Sequence, residues 1–171
     1  MMDLREVIKS YPDFPKPNIL FRDVNPILQD AKHFESAISQ IEDLLYDMDY
    51  DVIIAPESRG FIFAAPIAIR QGKGLVLARK KGKLPGDVAS KQYFLEYGMD
   101  SIEIQKDGIK LGQKVVIIDD LLATGGTAKV ICDIVDGLGG KVVASVFLIE
   151  LAELNGRELL KDCEVKAIIT Y

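Results

Sequence analysis

The chain has 171 residues, of which 49% are hydrophobic and 27% are charged, and its formal net charge is −5 at pH 7. One domain is the simplest division of a chain of this length, and its apolar content is enough for a substantial core. The acidic balance argues against a general nucleic-acid-binding surface, and no apolar run reaches the roughly 20 residues that a membrane-spanning helix needs.

The cysteines and the N-terminus both suggest a protein of the reducing cytoplasm. Cys132 and Cys163 are the only cysteines, and neither belongs to a Cys-x-x-Cys pair, so we do not expect a zinc site. The first residues, Met-Met-Asp-Leu-Arg, do not begin an apolar stretch of signal-peptide length. We therefore expect a cytoplasmic protein in which Cys132 is at least partly buried in a helix.

Strand and helix patterns alternate along most of the chain. Four prolines between residues 10 and 30 predict an extended N-terminal arm rather than a regular element. Apolar residues recur at helical spacing over residues 34–48 and again over 61–70, where Pro66 interrupts the pattern. Short apolar runs predict five buried strands. These runs are residues 52–55, 75–78, 115–118, 142–149 and 165–169.

This alternation predicts an α/β fold with a central, mostly parallel sheet of about five strands and helices on both faces. The segment 79–112 is long and polar, and connections of that length in a compact domain are usually functional. Within it we expect a hairpin made from residues 92–95 and 101–104. Seven lysines or arginines and one aspartate lie between Arg70 and Lys91, and such a local positive charge suits a small polyanion.

The most informative stretch is residues 115–127, where a buried strand is followed by Asp119, Asp120 and a short glycine-containing loop. Ligands of open α/β sheets bind outside the carboxyl ends of the strands. Glycines let backbone N–H groups approach an anion closely, and the helical pattern that follows adds a helix N-terminus. The two carboxylates are placed to accept hydrogen bonds from sugar hydroxyls, directly or through Mg²⁺. The candidate phosphate-binding residues are Ala123, Thr124, Gly125, Gly126 and Thr127.

A plain strand–loop–helix connection with turn glycines is the alternative interpretation. The adjacent carboxylates argue against it, because two like charges at a strand end repel each other unless a cation or hydroxyl groups hold them. The stretch is neither a Walker A loop nor a dinucleotide-binding fingerprint, since neither glycine pattern occurs in it. The sequence therefore predicts a site for a phosphorylated sugar.

The same stretch resembles the phosphoribosyl-pyrophosphate motif of type I phosphoribosyltransferases. Four further segments, 20–23, 57–61, 79–86 and 95–98, make the chain similar to adenine phosphoribosyltransferases over nearly its whole length. The resemblance implies the type I phosphoribosyltransferase fold in a single domain over residues 1–171, with an N-terminal hood in residues 1–33 and a mobile lid within residues 79–112.

The resemblance also implies an activity, which is purine salvage. Adenine and 5-phospho-α-D-ribose 1-diphosphate (phosphoribosyl pyrophosphate) would give AMP and pyrophosphate, with Mg²⁺ as cofactor, in a homodimer. Residues 123–127 would hold the 5′-phosphate, and Asp119 and Asp120 would hold the ribose and, indirectly or weakly, the metal. Arg59 and Glu96 are the implied catalytic residues, with Glu96 handling a proton of the purine.

The remaining implied contacts fall into three groups. The diphosphate ligands are Ser58, Arg59, Arg79, Lys80 and Lys83. The adenine contacts are Leu20, Phe21, Arg22 and Leu151. The lid residues that would cover the closed site and keep water out are Tyr93 and Tyr97.

Two other functions stay open on the sequence. A non-catalytic sensor of phosphoribosyl pyrophosphate would keep the loop motif, but it would need a nucleic-acid-binding surface that an acidic chain does not suggest. A transferase of the same fold that uses xanthine, hypoxanthine or orotate would differ around the base. No rule of spacing separates amino purines from oxo purines, so the choice of adenine rests on the resemblance.

Overall fold

The structure is a computed structural model that describes residues 2–95 and 98–171. Its α-helices are α1 (Asn25–Gln29), α2 (Ala31–Leu45), α3 (Gly60–Gln71) and α4 (Gly126–Gly137). Its strands are β1 (Lys9–Tyr11), β2 (Phe21–Asp23), β3 (Val52–Pro56), β4 (Gly74–Lys80), β5 (Val88–Leu95), β6 (Gly98–Gln105), β7 (Lys114–Leu122), β8 (Lys141–Glu150) and β9 (Glu164–Thr170). None of the helices within these ranges is long and apolar enough to cross a membrane.

The central sheet has the strand order β5-β6-β4-β3-β7-β8-β9. The five strands β4, β3, β7, β8 and β9 pair with their neighbours in parallel. They correspond to the five strands that the sequence predicts. The hairpin of β5 and β6 continues the sheet beyond β4 with two antiparallel strands. The predicted hairpin is therefore confirmed, but it is longer than predicted and raises the strand number to seven. Residues 88–93 of β5 are intermediate or exposed and show no continuous apolar run, whereas residues 101–104 of β6 are buried but alternate between polar and apolar side chains.

Helices cover both faces of the sheet. On one face, Ile41 of α2 and Phe63 of α3 pack in one cluster with Ile53 of β3 and Val116 of β7. On the other face, α4 and β6 pack against the alternate side chains of the same two strands. Because successive strand side chains point to opposite faces, both sides of β3 and β7 are buried. Their continuous apolar runs, which the sequence shows, follow from that position.

The N-terminal arm contains more regular structure than the sequence predicts. Strand β1 pairs antiparallel with β2, so that Tyr11 lies opposite Phe21, and α1 follows with Pro26 in its first turn. Proline is tolerated there because the N–H that it lacks has no partner in the first turn of a helix. The prediction of extended backbone as far as residue 30 was wrong for this segment.

Helix α2 begins three residues before its apolar pattern does. The side chain of Asp30 accepts hydrogen bonds from the backbone N–H groups of Lys32 and His33, and so caps the helix. An aspartate just before a helix is a recognised start signal, and it fixes the boundary better than the apolar spacing that gave residues 34–48.

Candidate active site

Three of the predicted motifs meet at one edge of the sheet. Strands β3 and β4 are parallel neighbours, and the backbone N–H of Glu57, just after β3, donates to the carbonyl of Ala78 near the end of β4. Strand β7 lies on the other side of β3 and ends just before the glycine loop. A cavity of about 700 Å³ opens there, lined by Asp119, residues 121–128 and Tyr93 among others. The fold thus gathers segments that are far apart in sequence.

The glycine loop packs against Gly156, a glycine of another segment that the sequence analysis missed. Gly125 has φ of 81°, and a Cβ there would lie 2.4 Å from the carbonyl oxygen of Gly156. A Cβ on Gly156 would lie 2.3 Å from the carbonyl oxygen of Ala123. Two backbone segments therefore touch without any side chain between them. The Asn155-Gly156 pair is a turn signal in its own right, and it was available in the sequence.

Asp119 and Asp120 occupy different surroundings although they are adjacent. Asp119 lines the cavity, and its Oδ1 accepts a hydrogen bond from the backbone N–H of Asp120 at 2.9 Å. The same oxygen lies 2.9 Å from where a Gly60 Cβ would be, at the N-terminus of α3. Burial raises the pKa of Asp119 well above its usual value, and the neighbouring charge of Asp120 adds to that rise.

Arg59 supplies the positive charge that the carboxylate pair requires. Its Nε lies 2.7 Å from Oδ2 of Asp120, whose side chain is only 7% exposed. Burial raises the pKa of Asp120, and the guanidinium of Arg59 opposes that rise. The Arg59 guanidinium also lies 5.8 Å from the ring centre of Phe21 in the N-terminal arm. Arg59 therefore stands between the side chains predicted to contact the base and the sugar.

The basic loop is organised around Glu57, a residue that the sequence analysis assigned no role. Its carboxylate lies 2.7 Å from Nζ of Lys83 and 3.3 Å from Nε of Arg79, and it accepts a hydrogen bond from the backbone N–H of Lys80. These contacts, with Lys83 first, lower the pKa of Glu57 to about 2. The Lys80 ammonium instead pairs with Asp100 of β6 at 3.0 Å. Together with Asp120, which pairs with Arg59, Glu57 and Asp100 thus neutralise the cations among the predicted diphosphate ligands.

Ser58 lies in the turn between β3 and α3, next to Arg59, and the Glu57–Ser58 peptide bond is cis. This turn is at the same sheet edge as the glycine loop. The structure therefore brings Ser58 and Arg59 to the carboxyl end of β3, where the sequence places them.

The predicted base contacts come from both ends of the chain. Phe21 packs edge-on against Phe14, with ring centres 5.2 Å apart. Leu151 follows β8, and its backbone N–H donates to the carbonyl of Leu122 at the end of β7. Leu20 is about half exposed. The guanidinium carbon of Arg22 lies 3.8 Å from the ring centre of Tyr171. The Arg22 side chain therefore stacks on a residue that the sequence analysis did not single out.

Of the predicted lid residues, Tyr93 lies over the glycine loop. Its hydroxyl is 3.5 Å from Oγ1 of Thr127, and its ring lies 3.6 Å from where a Gly126 Cβ would be. An ion pair of 2.7 Å between Lys91 of β5 and Asp133 of α4 joins the hairpin to the helix that follows the loop. The predictions for Glu96 and Tyr97 concern residues outside the described ranges.

The family of the chain follows from comparison with known proteins. Residues 23–170 match the family model described as phosphoribosyl transferase domain. This chain belongs to the phosphoribosyltransferase family. The adenine phosphoribosyltransferase of Lachnoclostridium phytofermentans is 51% identical to it over 171 residues, which cover 100% of this chain and 98% of the relative. The match includes the glycine loop, the Asp pair and the basic loop, because it spans the whole chain.

Solved phosphoribosyltransferase structures have the same fold. The crystal structure of adenine phosphoribosyltransferase from Thermoanaerobacter pseudethanolicus superposes with a TM-score of 0.95 at 47% identity, covering 98% of each chain. The Saccharomyces cerevisiae enzyme, complexed with an iminoaltritol bisphosphate and adenine, gives 0.89 at 38% identity, covering 95% of this chain and 94% of its own. The prediction of a type I phosphoribosyltransferase fold is confirmed.

We predict that Gly156→Ala disrupts the glycine loop of this phosphoribosyltransferase. The added methyl group would overlap the carbonyl of Ala123, so the loop must shift and its N–H groups lose their alignment. A hydrogen bond to a charged group contributes about 1.5–3 kcal/mol, so we expect a loss of roughly tenfold to a hundredfold in affinity for phosphoribosyl pyrophosphate by titration calorimetry. Gly137→Ala, in α4 with no atom within 4 Å of the new Cβ, is the matched control. Equal affinities in the two variants would contradict the prediction.

We predict that Glu57 stabilises the folded phosphoribosyltransferase in a pH-dependent way. Its pKa is about 2 in the folded state against 4.5 for an unperturbed glutamate. A group with a lowered folded pKa stabilises above the unfolded pKa, and this contribution is lost as the pH falls through the folded value. Wild type should therefore unfold at a higher temperature than Glu57→Gln at neutral pH, with the gap closing from pH about 4.5 towards about 2. The exposed Glu153→Gln is the control, and a constant gap would count against Glu57.

Proposed function

We infer that this protein transfers the 5-phosphoribosyl group of phosphoribosyl pyrophosphate to adenine, giving AMP and pyrophosphate. The observation that carries this conclusion is the full-length similarity to adenine phosphoribosyltransferases. It is joined by a site in which the carboxylate pair, the glycine loop and the basic loop share one sheet edge. In this reaction the phosphoribosyl group moves from a diphosphate oxygen to a purine nitrogen, so a C–O bond of the sugar carbon breaks and a C–N bond forms.

We propose that residues 123–127 bind the 5′-phosphate. The loop precedes the 12-residue helix α4, so its unpaired N–H groups and the positive end of the helix dipole favour a dianion there. Thr124 and Thr127 add hydroxyl donors. Tyr93 lies within reach of Thr127, which supports a role for its ring in covering a bound phosphate.

We propose that Asp119 and Asp120 bind the ribose and its metal ion. Asp119 lines the cavity and Asp120 is its neighbour in the chain, and this arrangement fits Mg²⁺, which is usually held by one or two carboxylates together with water and substrate oxygens. When bound, Mg²⁺ would neutralise charge on the diphosphate. Asp120 is already paired with Arg59, so its part in holding the metal would be weak or indirect.

We propose that Ser58, Arg59, Arg79, Lys80 and Lys83 bind the diphosphate. Each of the four cations among them pairs with a carboxylate in the structure, which keeps a dense group of positive charges stable without substrate. The bound diphosphate would replace some of these carboxylates as the partner of the cations. As the bond from sugar carbon to diphosphate oxygen loosens, negative charge grows on the leaving group and positive charge on the sugar. Fixed cations on one side and the Asp pair on the other would stabilise both.

We propose that the adenine lies between Phe21 and Leu151, under the hood that contains Leu20 and Arg22. Because the Arg22 side chain is stacked on Tyr171, the contact of residue 22 with a base would come from its backbone. Glu96 would accept or relay the purine proton, and Tyr97 would cover the base with the closed lid.

A homodimer and a cytoplasmic location stay predictions. An apolar surface supports self-association: Ile62 and Ile69, two turns apart on α3, are 39% and 82% exposed, and Leu77 on the neighbouring β4 is 36% exposed. Exposed apolar side chains that form a patch often mark an interface. Light scattering of the purified protein would give the mass of a monomer if this prediction is wrong.

The first test is AMP formation from phosphoribosyl pyrophosphate and Mg²⁺, with adenine, hypoxanthine, guanine and xanthine supplied in parallel. We expect product with adenine alone. Product with another base instead would leave the sugar and phosphate sites intact but overturn the assignment of the base pocket. Tight binding of phosphoribosyl pyrophosphate without product from any base would favour the sensor.

We predict that Asp120→Asn lowers kcat/KM for phosphoribosyl pyrophosphate. The amide keeps the size of the side chain but removes the charge that Arg59 neutralises and that the forming sugar cation would meet. Loss of one preorganised electrostatic contact typically costs about a hundredfold or more. Asp107→Asn, an exposed substitution outside the site, is the control. Unchanged kcat/KM in Asp120→Asn would remove Asp120 from the site.

We predict that Glu96→Gln lowers kcat more than it raises KM for adenine. The glutamine keeps the shape of the side chain but does not accept the purine proton, and such a group typically contributes about a hundredfold or more. Steady-state kinetics with adenine varied at saturating phosphoribosyl pyrophosphate separate the two constants. Wild-type turnover would exclude Glu96 from the chemistry, and Glu153→Gln controls for the loss of an acidic surface charge.

A further inference from the structure

Two thiols lie side by side outside the proposed active site. Cys132 in α4 and Cys163 in the turn before β9 are the only cysteines of the chain. Both line a second cavity of about 350 Å³, both are partly exposed, and both pack against the same cluster of buried apolar residues. The proposed transfer reaction uses neither of them, so their proximity needs a separate explanation.

The position of the Cys163 sulfur is fixed by two polar neighbours. Its Sγ donates to the carbonyl of Leu160 at 3.6 Å and lies 3.5 Å from Oγ of Ser145 in β8. Both cysteines pack against one cluster of buried apolar side chains that includes Phe147 and Leu160. Contacts from α4, β8 and the turn before β9 therefore bring the two cysteines to the same cavity.

The two thiols differ in acidity. The adjoining Cys132 thiol, followed by the Ser145 hydroxyl, lowers the pKa of Cys163 to about 6 despite burial. The same interaction between the thiols, together with burial, raises the pKa of Cys132. The charged residues that line the same cavity are Lys129, Asp133, Asp136, Lys141 and Asp162. Thiolate is the nucleophilic form of cysteine, so Cys163 is suited to attack and Cys132 to respond as the second thiol.

We propose that Cys132 and Cys163 form a hydroperoxide-sensitive thiol pair, and that their oxidation to a disulfide weakens binding of the 5′-phosphate. The Cys163 thiolate attacks a peroxide oxygen, the O–O bond breaks, and a proton completes the leaving alcohol or water. The resulting sulfenic acid of Cys163 is then attacked by Cys132, which forms the S–S bond and releases water. Two thiols lose two electrons in total, and one hydroperoxide is reduced.

The disulfide would act on the phosphate loop through its two supports. Cys132 lies in the helix that begins at Gly126, and Cys163 follows the turn whose Gly156 touches the carbonyl of Ala123. An S–S bond is about 2.05 Å long, so its formation would draw the helix and the turn together. The loop between them would lose the alignment of its N–H groups. This effect on phosphate rests on the proposed function, whereas the disulfide itself does not.

The chemical part is tested by treating the reduced protein with hydrogen peroxide and measuring its intact mass without reductant. We expect a loss of two hydrogen atoms, a cross-linked peptide that joins Cys132 to Cys163, and reversal by dithiothreitol. In Cys132→Ser, the reaction should stop at a Cys163 sulfenic acid that dimedone traps. Persistence of both free thiols in the wild type, or a disulfide between two chains, would overturn the proposal.

Proximity is tested without oxidation by phenylarsine oxide, which bridges two neighbouring thiols. One arsenical should bind to each wild-type chain and none to Cys132→Ser or Cys163→Ser. The absence of bridging in the folded wild type would overturn the pairing.

The functional part is tested by titration calorimetry with phosphoribosyl pyrophosphate. We expect about fivefold weaker binding by the oxidised wild type than by the reduced wild type, within the usual range of coupling between sites. The affinity of Cys132→Ser should not change on peroxide treatment, because its oxidation stops before a disulfide forms. Equal affinity in a fully cross-linked protein would overturn the effect on phosphate. Absence of binding by the reduced protein would instead overturn the proposed function, while the disulfide result would stand.

Discussion

The site depends on pairing between opposite charges that come from different strands. Arg59 after β3 neutralises Asp120 of β7. Glu57 after β3 pairs with Arg79 in β4 and with Lys83 beyond it, and Asp100 of β6 pairs with Lys80. A group of like charges this dense would repel itself without such partners. In the proposed reaction, the partners would also be what a polyphosphate exchanges with. The ion pairs that stabilise the site without substrate would therefore have to be broken when substrate binds, and this sets the electrostatic cost of substrate binding.

The parallel sheet makes this pairing possible. Because β4, β3 and β7 run in the same direction, the three loops that follow them emerge at the same edge. The apolar lengths of β3 and β7 are buried on both faces and carry no polar group that function requires. Chemistry is therefore confined to the strand ends, where the backbone leaves the sheet and its N–H groups become available.

The sequence predicted the parts of the fold that depend on local pattern. The five parallel strands, the helices after residues 30, 60 and 126, and the position of the Asp pair all follow from apolar spacing and turn residues. Glu57 was missed because its role exists only through Arg79 and Lys83, which lie more than twenty residues away in the chain. Tyr171 and Gly156 were missed for the same reason, since each acts through a contact that only the tertiary structure creates. Helix α1 was missed because proline was interpreted as a breaker and not as a first-turn residue.

The interlocked backbones of Gly125 and Gly156 limit how freely this protein can change. Neither glycine can gain a side chain while the other segment keeps its place, so the loop and the turn form one steric unit, although about thirty residues separate them in the chain. If the loop were transplanted alone into another sheet, Gly125 would lose the backbone contact with Gly156 that supports its left-handed conformation. Grafting of this phosphate site into a different scaffold would therefore require both segments, together with the strand β8 that spaces them.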